Sequence, residues 1–490
     1  MMKKVLFFTV SMLVIAILST PAMAGRYDIG GRPFYLAGQV SQGVAYGLND
    51  GYDTKKDINA LIWTALLDAD YYPSEQSRFF TQLSLTGNWI YDFNNSDSEW
   101  IGKQFNASHG NLAFDDKYWQ IIREAHYTWN TENSMVRIGK QIISWGQTDG
   151  FRLMDQINPA DQRRGLADVE YETSIIPLWL ARADFSPKIE STWLQDLSVQ
   201  LWFNPNADFI PNQPITLGND VGGIWAPLVV LGTKTYLGSS DITINTPGSG
   251  DHNYFEYGAR IQGMVNDALI TLNGFYGRDN DYVAQSAGAP RVETVDGNTI
   301  VHLNQKAFYP YQRFVGGTLT KDLVFLQKAM LGHSPVLRLE AFYAFQSTFV
   351  DSLDNLVEKD EVRWALGLDW KLYIRPINEK AGIGISAQVY ERRILDYPTV
   401  GLSGLKEDNW MSTLFVSTAY LSDRLSPSVF LMFDHTNDAY LIKPQISYLW
   451  DSSWSYTLGA LFLGGNKEGQ GFQLFDNKDY IFFKVAYRWN

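Results

Sequence analysis

About eighteen stretches of roughly ten residues alternate apolar or aromatic side chains on one parity with small or polar ones on the other. A period of two is the mark of strands with one apolar and one wet face. Phe79, Leu83, Leu85, Trp89 and Tyr91 alternate with Gln82, Ser84, Thr86 and Asn88. Leu337, Leu339, Ala341, Tyr343 and Phe345 oppose Arg338, Glu340 and Gln346 in the same way, and Ile383, Ile385, Ala387 and Val389 oppose Gly384, Ser386 and Gln388. Between Trp119 and Trp129 the pattern stumbles, with Arg123 on the apolar parity and Ile122 on the polar one. Strands are predicted near 34–46, 58–70, 78–92, 118–131, 134–143, 175–186, 194–204, 254–266, 268–278, 308–321, 334–347, 361–374, 381–392, 410–422, 427–435, 439–450, 453–464 and 479–489.

A soluble sandwich also alternates, so length and spacing must separate it from a membrane barrel. Crossing a bilayer at a tilt takes about 9 to 11 residues, which these stretches supply, and their rings gather at strand ends, where interfacial girdles sit. The even-numbered gaps are mostly short, such as Asp267 or Glu132 to Asn133. Most odd-numbered gaps are long, including Phe93 to Lys117, Ser144 to Ser174, Pro205 to Asn253 and Asp279 to Ala307. Short turns on one rim and long loops on the other are the outer-membrane pattern. The expected fold is all-β: a single antiparallel transmembrane β-barrel of about 16 to 18 strands over residues 25–490, with long extracellular loops.

Composition agrees. The chain is 14% aromatic yet has a mean hydropathy of −0.18, so it is rich in rings and poor in apolar runs, with no linker or repeat to divide it. Met1 to Ala24 reads as a signal peptide: Lys3 and Lys4, the apolar Val5 to Leu18, then Ala22-Met23-Ala24 before Gly25. No later stretch has the roughly 18 consecutive apolar residues of a membrane helix. The absence of cysteine excludes disulfides, thiolate metal sites and a lipid-modified N-terminal cysteine. The formal charge of −13 argues against nucleic acid as a partner. Acidic long loops, with Asp208, Asp220, Asp241 and Asp251 against Lys234, are either charged for solubility or able to hold divalent cations.

One stretch leaves the strand pattern without becoming featureless. Arg137 to Arg164 reads RIGKQIISWGQTDGFRLMDQINPADQRR, an alternating strand running into a loop that interleaves carboxylates with guanidiniums. Counting gaps, it is the third long loop. By analogy of fold with general porins, it is expected to fold inward and narrow the pore. Arg137 and Gln141 would line the lumen from the preceding strand, and Trp145, Asn158 and Pro159 would anchor the loop. Asp149, Arg152, Asp155, Asp161, Arg163 and Arg164 would set a transverse field across the constriction. Lys140 falls on the lipid-facing parity, where charge is costly, so it must lie near a rim or the register must shift.

The terminal strand, with Ile481, Phe483, Val485, Tyr487 and Trp489, resembles the aromatic-ended signal read by the barrel-assembly machinery, although Asn490 follows the last ring. RIGKQIISWGQTDGFRLMDQINPAD, VLRLEAFYAFQSTF (336–349), PQISYLWDSSWSYTLGALFLGG (444–465) and YIFFKVAYRWN together resemble the large Gram-negative outer-membrane barrel family catalogued as domain of unknown function 1302. The resemblance implies transport of apolar or lipid-like compounds across the envelope, with periplasmic or inner-membrane transport partners.

Chemistry is otherwise sparse. His109, His126, His252, His302, His333 and His435 show no metal-ligand spacing, and there is no nucleotide-binding or nucleophile-elbow motif. Glu124 and His126, two apart on the polar parity, could form an acid/base pair, against the plainer reading of lumen wall. About nine residues precede the first predicted strand, too few for a folded plug. The function expected is a channel for passive passage of small organic solutes, lipid-like ones included, with no cofactor or metal and with outer-membrane lipid and lipopolysaccharide as surroundings. A surface adhesin or structural barrel is the alternative, and an outer-membrane enzyme a third. Expressed with its leader, the chain should fractionate with the outer membrane and change gel mobility on boiling; recovery as a soluble periplasmic protein would overturn the barrel.

Overall fold

The computed structural model describes residues 25–489 apart from 51–53, 55, 91–120, 149, 151, 163–173, 190, 207–208, 214–226, 228, 239, 247–251 and 329–332. The leader expected at 1–24, with Asp149, Arg163, Arg164 and His109, lies outside the described residues.

Eighteen strands close on themselves, every neighbouring pair antiparallel. They are β1 (Arg32–Gly47), β2 (Ile62–Tyr71, preceded after a break at Leu61 by Ile58–Ala60), β3 (Ser77–Asn88), β4 (Ile122–Asn130), β5 (Ser134–Gln141), β6 (Leu178–Phe185), β7 (Leu194–Asn204), β8 (Glu256–Val265) and β9 (Ala268–Arg278). The second half comprises β10 (Tyr311–Asp322), β11 (Val336–Val350), β12 (Leu356–Leu372), β13 (Ile383–Ile394), β14 (Asp408–Ser417), β15 (Leu425–Asp434), β16 (Ala439–Leu449), β17 (Trp454–Gly465) and β18 (Tyr480–Trp489). Each overlaps one of the predicted stretches, and β7 and β9 match theirs to the residue.

Alternation decides the two faces. Phe79, Ile138, Leu201, Leu272, Val315 and Leu458 stand exposed on the outside, a belt of a size and apolarity that water does not favour and hydrocarbon does. Inside, polar groups pair across strands: Gln82 donates to Asp68 at 2.8 Å, and Thr271 meets Thr318 at 2.9 Å. The stumble in β4 is a one-residue bulge. Gln82 pairs with Glu124 but Leu83 with Ile122, so Arg123 is the extra residue. A bulge leaves one residue without a partner and shifts the side-chain parity beyond it. Ile122 thereby points out, while Arg123, 5% exposed, donates to Ile175 O. Lys140 is 1% exposed and its ammonium donates to Ile122 O at 2.6 Å, so this charge ends on a carbonyl beside the bulge rather than in lipid.

The seam joins β1 to β18 from Gly38–Trp489 to Gly47–Tyr480. Gly38 is there because a Cβ would come within 2.3 Å of the Trp489 ring. That ring packs with Val40, Ala65, Leu67, Trp454 and Tyr487. A short strand, Gly25–Ile29, outside the predicted stretches, turns at Gly30-Gly31 and pairs with Arg32–Leu36 on the edge that β18 leaves uncovered. Positive φ angles of 63° and 78° at Gly30 and Gly31 suit a tight hairpin.

Connections alternate long and short through the first half, but 351–355 and 435–438 are shorter than the opposite-rim 323–335. Loop parity therefore has exceptions in the C-terminal half, where 395–407 still exceeds the connections on either side of it and 466–479 the one before it. The long connections 205–255 and 279–310 are more than loops. They interlock in two small sheets, with Thr235–Leu237 parallel to 299–301 and Asp241–Asn245 parallel to Asn304–Phe308.

Gly38→Leu must evict the Trp489 ring, and Trp489→Ala removes it, at about 3–5 kcal/mol for a large aromatic lost from a packed site. Both variants are expected to lower the fraction that resists unfolding in gels before boiling; unchanged fractions would show that the seam does not depend on this contact.

Candidate functional site

The described part of the loop after β5, residues 142–162 apart from 149 and 151, together with 174–177, lies inside the barrel, as expected by analogy with general porins. At its base Asn158, 1% exposed, accepts from Ile143 N at 2.8 Å and donates to Gln141 O at 3.3 Å and Ile176 O at 2.9 Å, clamping both ends of the loop together. Gln141, the last residue of β5, is buried with its amide donating to Leu180 O at 3.1 Å. Asp155 curls back over the first turn, its Oδ1 accepting from Trp145 N at 2.6 Å, Gly146 N at 2.8 Å and Ser144 Oγ at 3.0 Å. Arg152 donates to Asn158 O. Asp161, 4% exposed, sits where its backbone N donates to Ser174 O at 2.7 Å.

These contacts give the charged members a particular job. An inserted segment has no solvent to satisfy its backbone, so side chains must do so. Asp155, Arg152 and Asn158 are engaged in that way with the loop's own main chain. Of the residues expected to set a transverse field, Asp149, Arg163 and Arg164 are outside the described residues.

Apolar side chains hold the loop to the wall. Ile143, Trp145, Leu153, Met154 and Ile157 form one buried cluster with Leu178, Leu180, Trp202, Phe275, Phe314 and Phe342 of the barrel. The wall side is a run of rings on neighbouring strands. Trp202 to Phe275 is 5.8 Å, Phe275 to Phe314 5.1 Å and nearly parallel, and Phe314 to Phe342 4.7 Å. Trp145 Nε1 donates to Gln200 Oε1 at 2.8 Å. Gln147 joins its backbone N to Glu340 and its carbonyl to Arg338. These lumen rings were missed because they occupy the parity read as polar. Ring doublets such as Trp202-Phe203, Phe275-Tyr276 and Phe342-Tyr343 were the available signal, since neighbours in a strand must face opposite ways.

The loop then crosses the lumen. A Cβ on Gly150 would lie 3.0 Å from Phe430 Cζ, 3.4 Å from Met432 Cε and 3.5 Å from Thr413 Cγ2. Those side chains belong to β14 and β15, half the barrel away from β5, where the loop begins. A second apolar cluster lies on that side, with Met432, Leu441, Leu461, Leu463, Tyr480 and Phe482 packed against Phe472, Leu474 and Phe475 of another inward connection, the short 3-10 turn Gly471–Phe475.

Elsewhere the lumen is polar. Arg137 reaches in from β5 and donates to Thr128 Oγ1 at 3.0 Å. Glu124 and His126 do meet, but at 3.9 Å, with the ring against Phe80 at 5.3 Å. On the outer face, beside the exposed Phe433, Ser412 Oγ and His435 Nε2 lie 2.8 Å apart. No group among the described residues orients the other ring nitrogen, as a hydrolytic dyad would require. No set of three potential metal ligands occurs among the described residues.

No family profile matches the chain, and no curated protein matches it by sequence. Solved structures do overlap it along nearly its whole length. OmpF of Salmonella typhi in complex with daunomycin is 10% identical, covering 95% of this chain and 100% of its own, at a TM-score of 0.40. OccK3 (OpdO) of Pseudomonas aeruginosa is 9% identical, covering 93% and 95%, at 0.43. A loop-deletion mutant of the Vibrio cholerae outer membrane protein OmpT is 10% identical, covering 93% and 99%, at 0.38. Overlaps this loose add nothing to the closed barrel that the strand pairings already establish.

Asp155→Ala leaves two backbone N–H groups without their acceptor, where each hydrogen bond to a charge is worth about 1.5–3 kcal/mol. In planar bilayers the expected result is a noisier, larger single-channel conductance with little change in ion selectivity. A selectivity shift at constant conductance would return Asp155 to the role of a field-setting charge.

Proposed function

We propose that this protein is an outer-membrane channel for passive passage of small organic solutes, poorly water-soluble and lipid-like ones included. The observation that carries the reading is the 142–177 loop, drawn across the lumen between two apolar clusters. An inward loop pinned at both walls narrows a barrel of eighteen strands, a size class that otherwise leaves an aqueous channel. The rings and methionines beside it favour solutes that shed water easily. The aromatic-ended β18 would be handed to the membrane by the barrel-assembly machinery, and the apolar belt would sit among outer-membrane lipid and lipopolysaccharide. Kinship with the domain of unknown function 1302 family belongs to this proposal and rests on the quoted motifs, as does cooperation with a periplasmic or inner-membrane exporter. Among the described residues, the enzyme reading has in its favour the Glu124–His126 and Ser412–His435 pairs, neither of which is complete.

A surface-binding role has one specific observation behind it. The interlocked connections 205–255 and 279–310 build small sheets that expose Val230, Leu231, Val292 and Val295.

The test is single-channel recording of the folded protein, with uptake of candidate aromatic solutes into cells. Phe430→Ala and Met432→Ala should each raise conductance severalfold, because the loop tip loses the wall it touches. A folded barrel with neither conductance nor solute uptake would overturn the channel and leave surface binding as the function.

A further inference from the structure

Four inward guanidiniums lie on β3, β5, β6 and β8, and two of them have no carboxylate within ion-pair distance among the described residues. Arg78 is held by Asp70 at 2.8 Å. Arg182 is held by Asp184 through two bonds, 2.7 and 2.9 Å. Arg137, the direct cross-strand partner of Arg182, has only Thr128 Oγ1 at 3.0 Å and Met135 Sδ at 4.0 Å. Arg260 has only Ser144 O at 3.5 Å. It is the cross-strand partner of Gln200, which donates to Asp184 at 2.7 Å.

Like charges placed directly opposite on one face of a sheet repel, and β5 and β6 place Arg137 against Arg182. The nearby carboxylates are already engaged. Asp70 holds Arg78, Asp184 holds Arg182 and Gln200, Asp155 accepts from the loop backbone, and Glu340 accepts from Gln147. Glu124 is beside His126 at 3.9 Å. The barrel thus holds two inward guanidiniums, Arg137 and Arg260, whose N–H groups no carboxylate among the described residues engages, because the carboxylates around them already accept from other donors. Their position is also defined. Ser144 O, which Arg260 touches, opens the crossing loop, and on β6 the inward series Leu178, Leu180, Arg182, Asp184 passes from apolar to charged.

The geometry points to a binding site for an organic carboxylate in the lumen, formed by Arg137 and Arg260 on either side of the Arg182–Asp184 pair. A guanidinium fork matches a carboxylate in two parallel bonds, and the unengaged N–H groups of both arginines supply them. This rests on the channel reading in one respect only, that the carboxylate is cargo. It narrows the solute class to amphiphilic organic acids, whose apolar body suits the clusters around the loop and whose head suits the two arginines beside it.

Benzoate is the probe, with benzyl alcohol as its neutral counterpart. Calorimetric titration of the folded full-length barrel in detergent should show saturable binding of benzoate and none of benzyl alcohol at the same concentrations. Arg137→Gln and Arg260→Gln should each weaken benzoate binding about tenfold or more, the scale of one hydrogen bond to a charge, while Arg291→Gln on the surface sheet leaves it unchanged. In bilayers, benzoate should interrupt the ion current of the wild-type protein and not that of the double variant. Equal binding of acid and alcohol, or an unaltered double variant that still folds by its gel mobility, would overturn the site. Benzoate binding without any conductance would instead keep the site and discard the channel.

Discussion

A strand exposed to hydrocarbon has no water to satisfy its N–H and C=O groups, so an open edge is not permitted there. The pairing of β1 with β18 is the answer this chain gives, and the rest of the architecture follows from it. Once the ladder is closed, each strand has an outside and an inside, and the period of two must assign every residue to one of them. The same requirement extends to any segment that leaves the ladder and enters the lumen. Asn158, Asp155 and Arg152 meet it for the 142–177 loop, whose backbone would otherwise lie unsatisfied beside the wall.

Much of the barrel was legible because the period of two is a local property. Strands such as β7 and β9 could be bounded to the residue from it, and the inward third loop could be expected from its place among the gaps, by analogy with general porins, and from the anchor residues Trp145 and Asn158. What the pattern could not convey was long-range. The bulge at Arg123 depends on how β4 meets β3, and only that pairing explains why Arg123 and Ile122 occupy unexpected parities. Lys140 looked misplaced until its ammonium was seen to end on Ile122 O. The lumen rings Trp202, Phe275, Phe314 and Phe342 were hidden because they belong to the polar parity and make sense only once a loop from elsewhere packs on them.

The charges of the loop teach a related lesson. An interleaved run of Asp and Arg has the same composition whether it faces a pore or serves its own backbone, and Asp155 shows the second case. Its acceptors are taken by Ser144, Trp145 and Gly146. The unengaged charge lies on the wall instead, at Arg137 and Arg260, where no single segment of sequence displays the two together.

The hairpin strand Gly25–Ile29 acts as a ruler. By occupying the edge of β1 from Arg32 to Leu36, it leaves β18 a berth that begins at Gly38, and the bare backbone of Gly38 is where the Trp489 ring fits. A slip of one residue would turn every ring of β18 to the wrong face. A slip of two, which alternation alone would tolerate, carries the last strand into positions already taken or draws Trp489 away from its notch. The length of a five-residue strand thus sets the stagger at which an eighteen-stranded cylinder closes, and with it the tilt of every other strand around the ring.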